Sequence, residues 1–331
     1  MKVGIGCLTS YRYTSLDSQC GGEYRYFLQL AQAAAHLGHD AIVFVEPADN
    51  QPEFEDRGVR FVHYPKVIEE QPDVIISQHT HFFVEHAVPL NCRLFMFSLG
   101  NSDEFKNYTR IDGIITYNNS VPSWTLENRD YRNVHVIYPI VKEVNVPRDR
   151  QKVICATTEL YPYNRPHLAV DIAKVLSEMG IYIKYYYRPD WLEDAKETEQ
   201  DLDSRAYLKQ MDYLFGLDNP GFIPTPFNTY DVFQEELASA GAYLVVRDGA
   251  VIALTEAEAM FNGTCVVRYE EIPYIGYSGI TNNFDTPGVC ALWIAQLLKN
   301  DELYNAYSKR GRELTGVRTI DGMANKLMEI L

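Results

Sequence analysis

Along most of the chain, apolar residues fall in short unbroken runs separated by polar stretches. "KVGIGCL", "AIVFVEP", "VRFVHYP", "DVIISQH", "RLFMFSL" and "GIITYN" follow one another through the first 118 residues. Runs of this length without alternation suit strands buried on both faces, which predicts a parallel sheet covered by helices. After the first run comes "EYRYFLQLAQAAAHLGH", in which Phe27, Leu28, Ala31, Ala34, Ala35 and Leu37 recur at helical spacing and Gly38 ends the run. "VHVIYPIV" closes this half.

A polar link at 142–151, "KEVNVPRDRQ", carries the one marked shift in composition, and the pattern then restarts. "KVICATT" reads as a strand and "RPHLAVDIAKVLSEMG" as a helix, with Pro166 in its first turn and Gly180 just past its end. Next come the strand "IYIKYYY", a charged helical stretch over 192–214, "GFIP", the helix "TYDVFQEELASA" and the strand "AYLVV". "TPGVCALWIAQLLKNDELYNAYSKRGREL" is helical almost to its end. The expected fold class is α/β, two Rossmann-like domains with parallel sheets facing a cleft. The expected domains are 1–145, with a C-terminal helix at 316–331 packing back on it, and 146–315.

Between these last elements lies "TEAEAMFNGTCVVRYEEIPYI", residues 255–275. Thr255 and Glu258 fit a Thr-x-x-Glu capping box, Leu254, Ala257 and Phe261 make an apolar face, and Gly263 is placed as a left-handed terminator. Glu256, one position past that cap, reads as a surface charge favoured by the helix dipole.

Composition narrows the function. The 331 residues suffice for two domains, and a net charge of −15 without a basic run argues against nucleic acid as a partner. Six cysteines lie far apart without a Cys-x-x-Cys, so they read as buried thiols of a reducing compartment and not as zinc ligands or disulfides. "MKVGIGCLTSY" begins directly as a strand, and no run of about 18 apolar residues could span a bilayer. The expected location is cytoplasmic and soluble.

Arg165, Arg188 and Arg247 each fall just beyond the C-terminal end of an expected strand, where open α/β sheets bind ligands. Three guanidiniums there could clamp a diphosphate, with the start of the helix at Pro166 adding its dipole; the alternative is that each pairs with one of the 45 acidic residues. In the first half, Gly21 and Gly22 precede a helix and let backbone N–H groups approach a phosphate or sugar, or simply form a turn.

Four stretches together resemble the GT-B fold retaining glycosyltransferases of glycosyltransferase family 4. They are "GGEYRYFLQLAQAAAHLGHDAIVFV", "DGIITYNNSVPSWTLENRDYRNVHVIYPIV", "EAMFNGTCVVRYEEIPYI" and the long helical tail, in the family's order. The resemblance implies that Glu258, second glutamate of a Glu-x7-Glu motif, holds the donor ribose, so capping and ribose contact compete for it. It implies that Thr158 opens the phosphate motif and that Phe222 and Ile223 of "GFIP" wall the nucleobase, although ordinary strand packing serves them equally. It also implies retention of configuration, no cofactor and no essential metal, a UDP- or GDP-sugar donor, and a glycan or other hydroxyl acceptor in the N-terminal half near Tyr11, Tyr13, His79 and Asn101.

The chain departs from the family pattern at several positions. Ala250 stands at the first glutamate, with Asp248 nearby as a substitute, and Leu99 stands at the family's histidine, with His79 or His81 as replacement. Glu159 and Asn164 stand at the motif's arginine and lysine, with Arg165 one residue further on. The candidate catalytic groups are therefore Arg165, His79 and Asp248. The same departures keep open a non-catalytic relative that binds nucleotide sugar or glycan. A nicotinamide dehydrogenase lacks support, since no Gly-x-Gly-x-x-Gly follows the first strand.

Overall fold

The unbroken apolar runs become the inner strands of two sheets. The computed structural model describes residues 1–7, 16, 22–46, 52–77, 91–98, 111–117, 133–156, 165–187, 189, 202–216, 218–246, 254–270 and 282–331. The chain divides into a first unit, Met1–Val141 with Val317–Leu331, and a second, Lys142–Gly316.

In the first unit, β1 (Lys2–Gly6), β2 (Asp40–Val45), β3 (Phe54–Asp56), β4 (Val59–His63), β5 (Val74–Ser77), β6 (Arg93–Phe97), β7 (Gly113–Thr116) and β8 (Val134–Val136) line up in the order β3-β4-β2-β1-β5-β6-β7-β8. Every neighbouring pair is parallel except β3 with β4. The sequence pattern did not announce β3, because its residues are half-buried or exposed and lack an apolar run. Helix α1 (Gly22–His36) turns Tyr26, Phe27, Leu30, Ala31 and Ala34 into the core. Its polar contacts pin the chain beyond β8: Tyr26 donates to the Ile137 carbonyl at 2.9 Å, and Gln29 bonds the Ile140 carbonyl and N–H at 2.8 and 2.9 Å. The C-terminal helix α9 (Ile320–Met328) lies against α1, burying Met323, Ala324 and Leu327. His36 bonds Asp321 at 2.9 Å, and Arg93 reaches the carbonyls of Ile330 and Leu331.

In the second unit, β9 (Asp149–Ala156), β10 (Tyr182–Tyr187), β11 (Phe222–Pro226), β12 (Ala240–Val245), β13 (Cys265–Glu270) and β14 (Asn282–Asn283) form a parallel sheet in the order β11-β10-β9-β12-β13-β14. That is the Rossmann order, in which the progression of strands reverses between β9 and β12 while the strands stay parallel. The helices are α3 (Pro166–Ser177), α4 (Leu202–Phe215), α5 (Tyr230–Ser239), α6 (Leu254–Phe261), α7 (Pro287–Lys299) and α8 (Asp301–Thr315). The helical tail divides into two helices, because Asn300 ends the first and caps α8 by accepting from Leu303 N at 3.0 Å. Gly38, Gly180 and Gly263, each expected to end a helix, have φ of 79°, 72° and 79°.

Strand alternation gives this sheet two unlike faces. Val153, Cys155, Ile183, Tyr185, Leu244 and Val267 point to α3 and α7, in a wholly apolar layer. Lys152 and Lys184 point the other way, to Glu236 of α5, at 2.9 and 3.0 Å. Desolvation would raise the Glu236 carboxyl, but the hydrogen bonds from the two lysines outweigh it and hold it below its ordinary value. All described cysteines are buried and unpaired by disulfide, and burial pushes the Cys265 thiol up to about 12, which makes it unreactive. Among the described residues no helix is long and apolar enough to cross a membrane.

An acid-sensitive cluster closes the edge of the first unit, where Arg60 bonds Glu70, in the short α2 (Val67–Glu70), at 2.9 and 2.8 Å and also reaches Asp40. The Arg60 hydrogen bonds, helped by Lys2 and opposed by desolvation, hold the Glu70 carboxyl at about 2 against an ordinary 4.5. The unfolded chain therefore binds more protons between those values, so Glu70 contributes its full stability above pH 4.5 and loses it as the pH falls towards 2. Arg60→Ala is expected to move the acid-unfolding midpoint, followed by circular dichroism, to higher pH. An unmoved midpoint would remove this cluster from the stability of the unit.

Candidate functional site

Open parallel sheets bind ligands outside the carboxyl ends of their strands at the point where strand order reverses. In the second unit that point lies between β9 and β12, flanked by β10 and β13. Helices begin on this side of the sheet, α3, α5 and α6 among them, because they follow β9, β11 and β12 in the chain. Free backbone N–H groups and the positive ends of the helix dipoles gather there.

Arg165 stands at the N-cap of α3, with Pro166 at the first helical position. Its carbonyl accepts from Leu168 N at 3.0 Å. Arg188 and Arg247 lie outside the described residues. The strands that precede the three arginines in sequence, β10, β9 and β12, are adjacent in the sheet.

Glu258 is the site's buried carboxylate. Helix α6 begins at Leu254, so Thr255 is inside the helix and not at its cap; the expected capping box is replaced by a different arrangement. The Glu258 carboxylate is turned to α5, where Gln234 Nε2 donates to Oε2 at 2.7 Å and the Tyr230 hydroxyl donates to Oε1. Thr229 caps α5 and so sets Tyr230 at its first position, with Gln234 one turn later on the same face. Glu258 and Gln234 are each 1% exposed, and the Gln234 Oε1 has no partner among the described residues. A carboxylate oxygen can accept more than one hydrogen bond, so a vicinal diol is a chemically suitable guest for such a group.

Glu256 corrects the surface expectation outright. It is 1% exposed, and Arg268 Nη1 of β13 donates to its Oε2 at 3.0 Å. Phe222 is corrected as well. It opens β11 opposite Ile183, 5% exposed, its ring 5.3 Å from Tyr185, so it belongs to the core at the amino end of the strands and not to a base pocket. Ile223 beside it is exposed on the edge strand, at that same far end.

Gly22 is the first residue of α1, which follows β1 in the first unit. Gly21, Tyr11, Tyr13, His79, Asn101, Thr158 and Asp248 lie outside the described residues, as do Leu99, Glu159, Asn164 and Ala250. Sequence reasoning missed Tyr230, Gln234 and the partner of Glu256. A signal existed for two of these: Gln234 lies between Phe233 and Leu237 on an otherwise apolar face, and Arg268 interrupts the apolar run "CVVRY". A polar group inside such a run needs a partner, and here it has one. Among the described residues no group of three His, Cys, Asp or Glu is placed to hold a metal ion.

Two Rossmann-like units of these strand orders define the GT-B fold of glycosyltransferases, and the chain has that fold. It is similar to sucrose-phosphate synthase from Thermosynechococcus elongatus, with a TM-score of 0.67 and 12% identity over 99% of this chain and 98% of the other. It is similar to HepE of Anabaena, solved with UDP and glucose, at a TM-score of 0.66 and 13% identity over 100% and 99% of the two chains. WaaG, a glycosyltransferase of lipopolysaccharide biosynthesis, gives 0.64 and 11% over 99% of each. No protein-family model and no curated protein sequence matches the chain.

Removing Glu256 takes the carboxylate partner from the buried Arg268 guanidinium. Glu256→Ala is expected to cost about 3 kcal/mol in urea unfolding, and Glu256→Gln less, because the amide oxygen still accepts. A loss below about 1 kcal/mol for the alanine variant would show that the pair is dispensable.

Proposed function

We propose that the chain is a glycosyltransferase moving a hexose from a UDP- or GDP-sugar to an acceptor hydroxyl, with retention of configuration and without an essential metal. The observation that carries the proposal is Glu258, a buried carboxylate fixed from two sides on a helix that starts where the GT-B fold receives its donor. In this reading a ribose diol takes the remaining acceptor positions of Glu258. HepE, solved with UDP and glucose, supplies the precedent for such a donor on this fold.

The chemical cost of the reaction is charge accumulating on the departing diphosphate, which preorganised donors offset. Arg165, Arg188 and Arg247, with the α3 N-terminus, take that role in the proposal. The donor's own leaving phosphate assists same-face attack, with Asp248 and His79 on the sugar and acceptor. A cytoplasmic setting, where nucleotide sugars are supplied, suits the buried free thiols.

One observation favours a second reading, a non-catalytic binding relative. Both Glu258 oxygens already accept protein donors, while the uncharged Ala250 stands at the family's first glutamate and Glu159 at its arginine.

Calorimetric titration with UDP, GDP, UDP-glucose and GDP-mannose, with and without magnesium, separates the two. Micromolar, metal-independent binding of one nucleotide with slow hydrolysis of its sugar is the expected result; binding without turnover selects the second reading. Glu258→Gln and Arg165→Ala are each expected to weaken that nucleotide at least about tenfold. Unchanged affinity in both would sink the assignment of the site.

A further inference from the structure

The opposite, amino-terminal edge of the second sheet carries a different chemistry. Arg148 and Arg150 bracket the start of β9, while Tyr304, Ser308 and Arg312 recur every fourth residue along α8. With Lys309 they line a cavity of about 470 Å³, in which Glu313 is the sole lining carboxylate. Four cations in one cavity run against the chain's net charge of −15.

Arg148 is immobilised by neutral groups. It donates to the carbonyls of Gly263 and, at 2.9 Å, Asn262, and to the Tyr304 hydroxyl at 2.6 Å. These carbonyls sit where α6 ends, so the guanidinium answers a helix terminus. Arg150 lies over the Tyr304 ring at 4.2 Å, and its carboxylate partner Asp301 is 83% exposed, a pair of small worth.

Packing explains these two arginines but not the other two cations. Arg312 has no ion pair among the described residues, and its guanidinium rests against Gly263, where any Cβ would collide with it. Lys309 meets Glu313 only at 3.9 Å, and Glu313 also draws Arg310 at 3.7 Å. Exposed like charges separate unless an anion neutralises them. Forked guanidiniums beside an ammonium and a phenol match the three acceptor oxygens of a phosphate better than the two of a carboxylate.

We propose that this cavity binds a phosphate-bearing small molecule, with Arg312, Lys309 and Arg150 on the phosphate oxygens and Arg148 as the fixed cation behind them. The site is separate from the nucleotide-sugar site and does not depend on that assignment, because it lies at the other end of the strands.

Hydrogen exchange on the full chain, titrated with inorganic pyrophosphate, tests it locally. Saturable slowing over 146–150 and 300–312 is expected, and Arg312→Ala with Lys309→Ala, both on the surface, should weaken it at least about tenfold while leaving Tm unchanged. Arg312→Lys, which keeps the charge and loses the fork, should restore part of the affinity. A parallel arm uses phosphatidylcholine vesicles with and without phosphatidylglycerol. Slowing at this cavity with those vesicles alone, lost in the double variant, would make the phosphate a lipid headgroup's. Slowing confined to the residues around 156–166, slowing that survives the double variant, or no response to either probe would overturn the proposal.

Discussion

Glu256 and Arg268 form an ion pair whose side chains are each 2% exposed, and the placement of the candidate site follows from it. A pair so buried gains little net stability over two apolar side chains, because desolvation offsets most of the Coulomb attraction. Its effect is on register. Arg268 occupies one rung of β13, and Glu256 must meet it, so the first turn of α6 can neither rotate nor slide on the sheet. Glu258, two residues on, then turns away from the sheet towards α5, where Tyr230 and Gln234 wait one turn apart. One glutamate of α6 thus fastens the helix and the other is presented by it.

This division of labour explains what was legible in the sequence. The buried strands follow from continuous apolar runs, which suit burial on both faces, and every one of those runs in the second half became a strand of its sheet. β3 was invisible because an edge strand of half-exposed residues carries no such run. At the site, periodicity located α6 and its terminator Gly263, yet local reasoning put Glu256 on the surface and offered Glu258 a capping role that the helix does not give it. Capping and dipole arguments use only local neighbours, while Arg268 is 12 residues and Tyr230 28 residues away in the chain. Phe222 failed for a related reason: a short motif says nothing about which end of a strand it occupies, and the register with Ile183 puts it at the far one.

The two faces of the second sheet do different work. Towards α3 and α7 the layer is apolar and needs no pairing. Towards α5 and α6 it holds Lys152, Lys184, Glu236, Glu256, Glu258 and Arg268, each with a named partner. A layer of paired charges specifies one arrangement where an apolar layer tolerates several, since a shift there leaves buried charges without partners. Glu258, the candidate ligand carboxylate, is therefore embedded in the layer that is least free to repack.

A parallel α/β sheet also has two unlike ends, and the distribution of charge in this chain follows them. Helices return in one direction, so their N-termini collect at the carboxyl ends of the strands and their C-termini at the amino ends. An acidic protein can place a carboxylate such as Glu258 among helix N-termini with little penalty, and the same field attracts a diphosphate. At the other end, carbonyls from the last turns of α5 and α6 point outwards, and Arg148 gathers Ala238, Asn262 and Gly263 with one guanidinium. Once such a cation is held by neutral dipoles its full charge remains, and it is not cancelled as it would be by a carboxylate. The cavity beside α8 inherits that charge and adds Arg312 and Lys309 to it. Helix C-termini favour cations, which accounts for Arg148, and the further surplus of Arg150, Lys309 and Arg312 around one cavity is the feature that a bound anion accounts for.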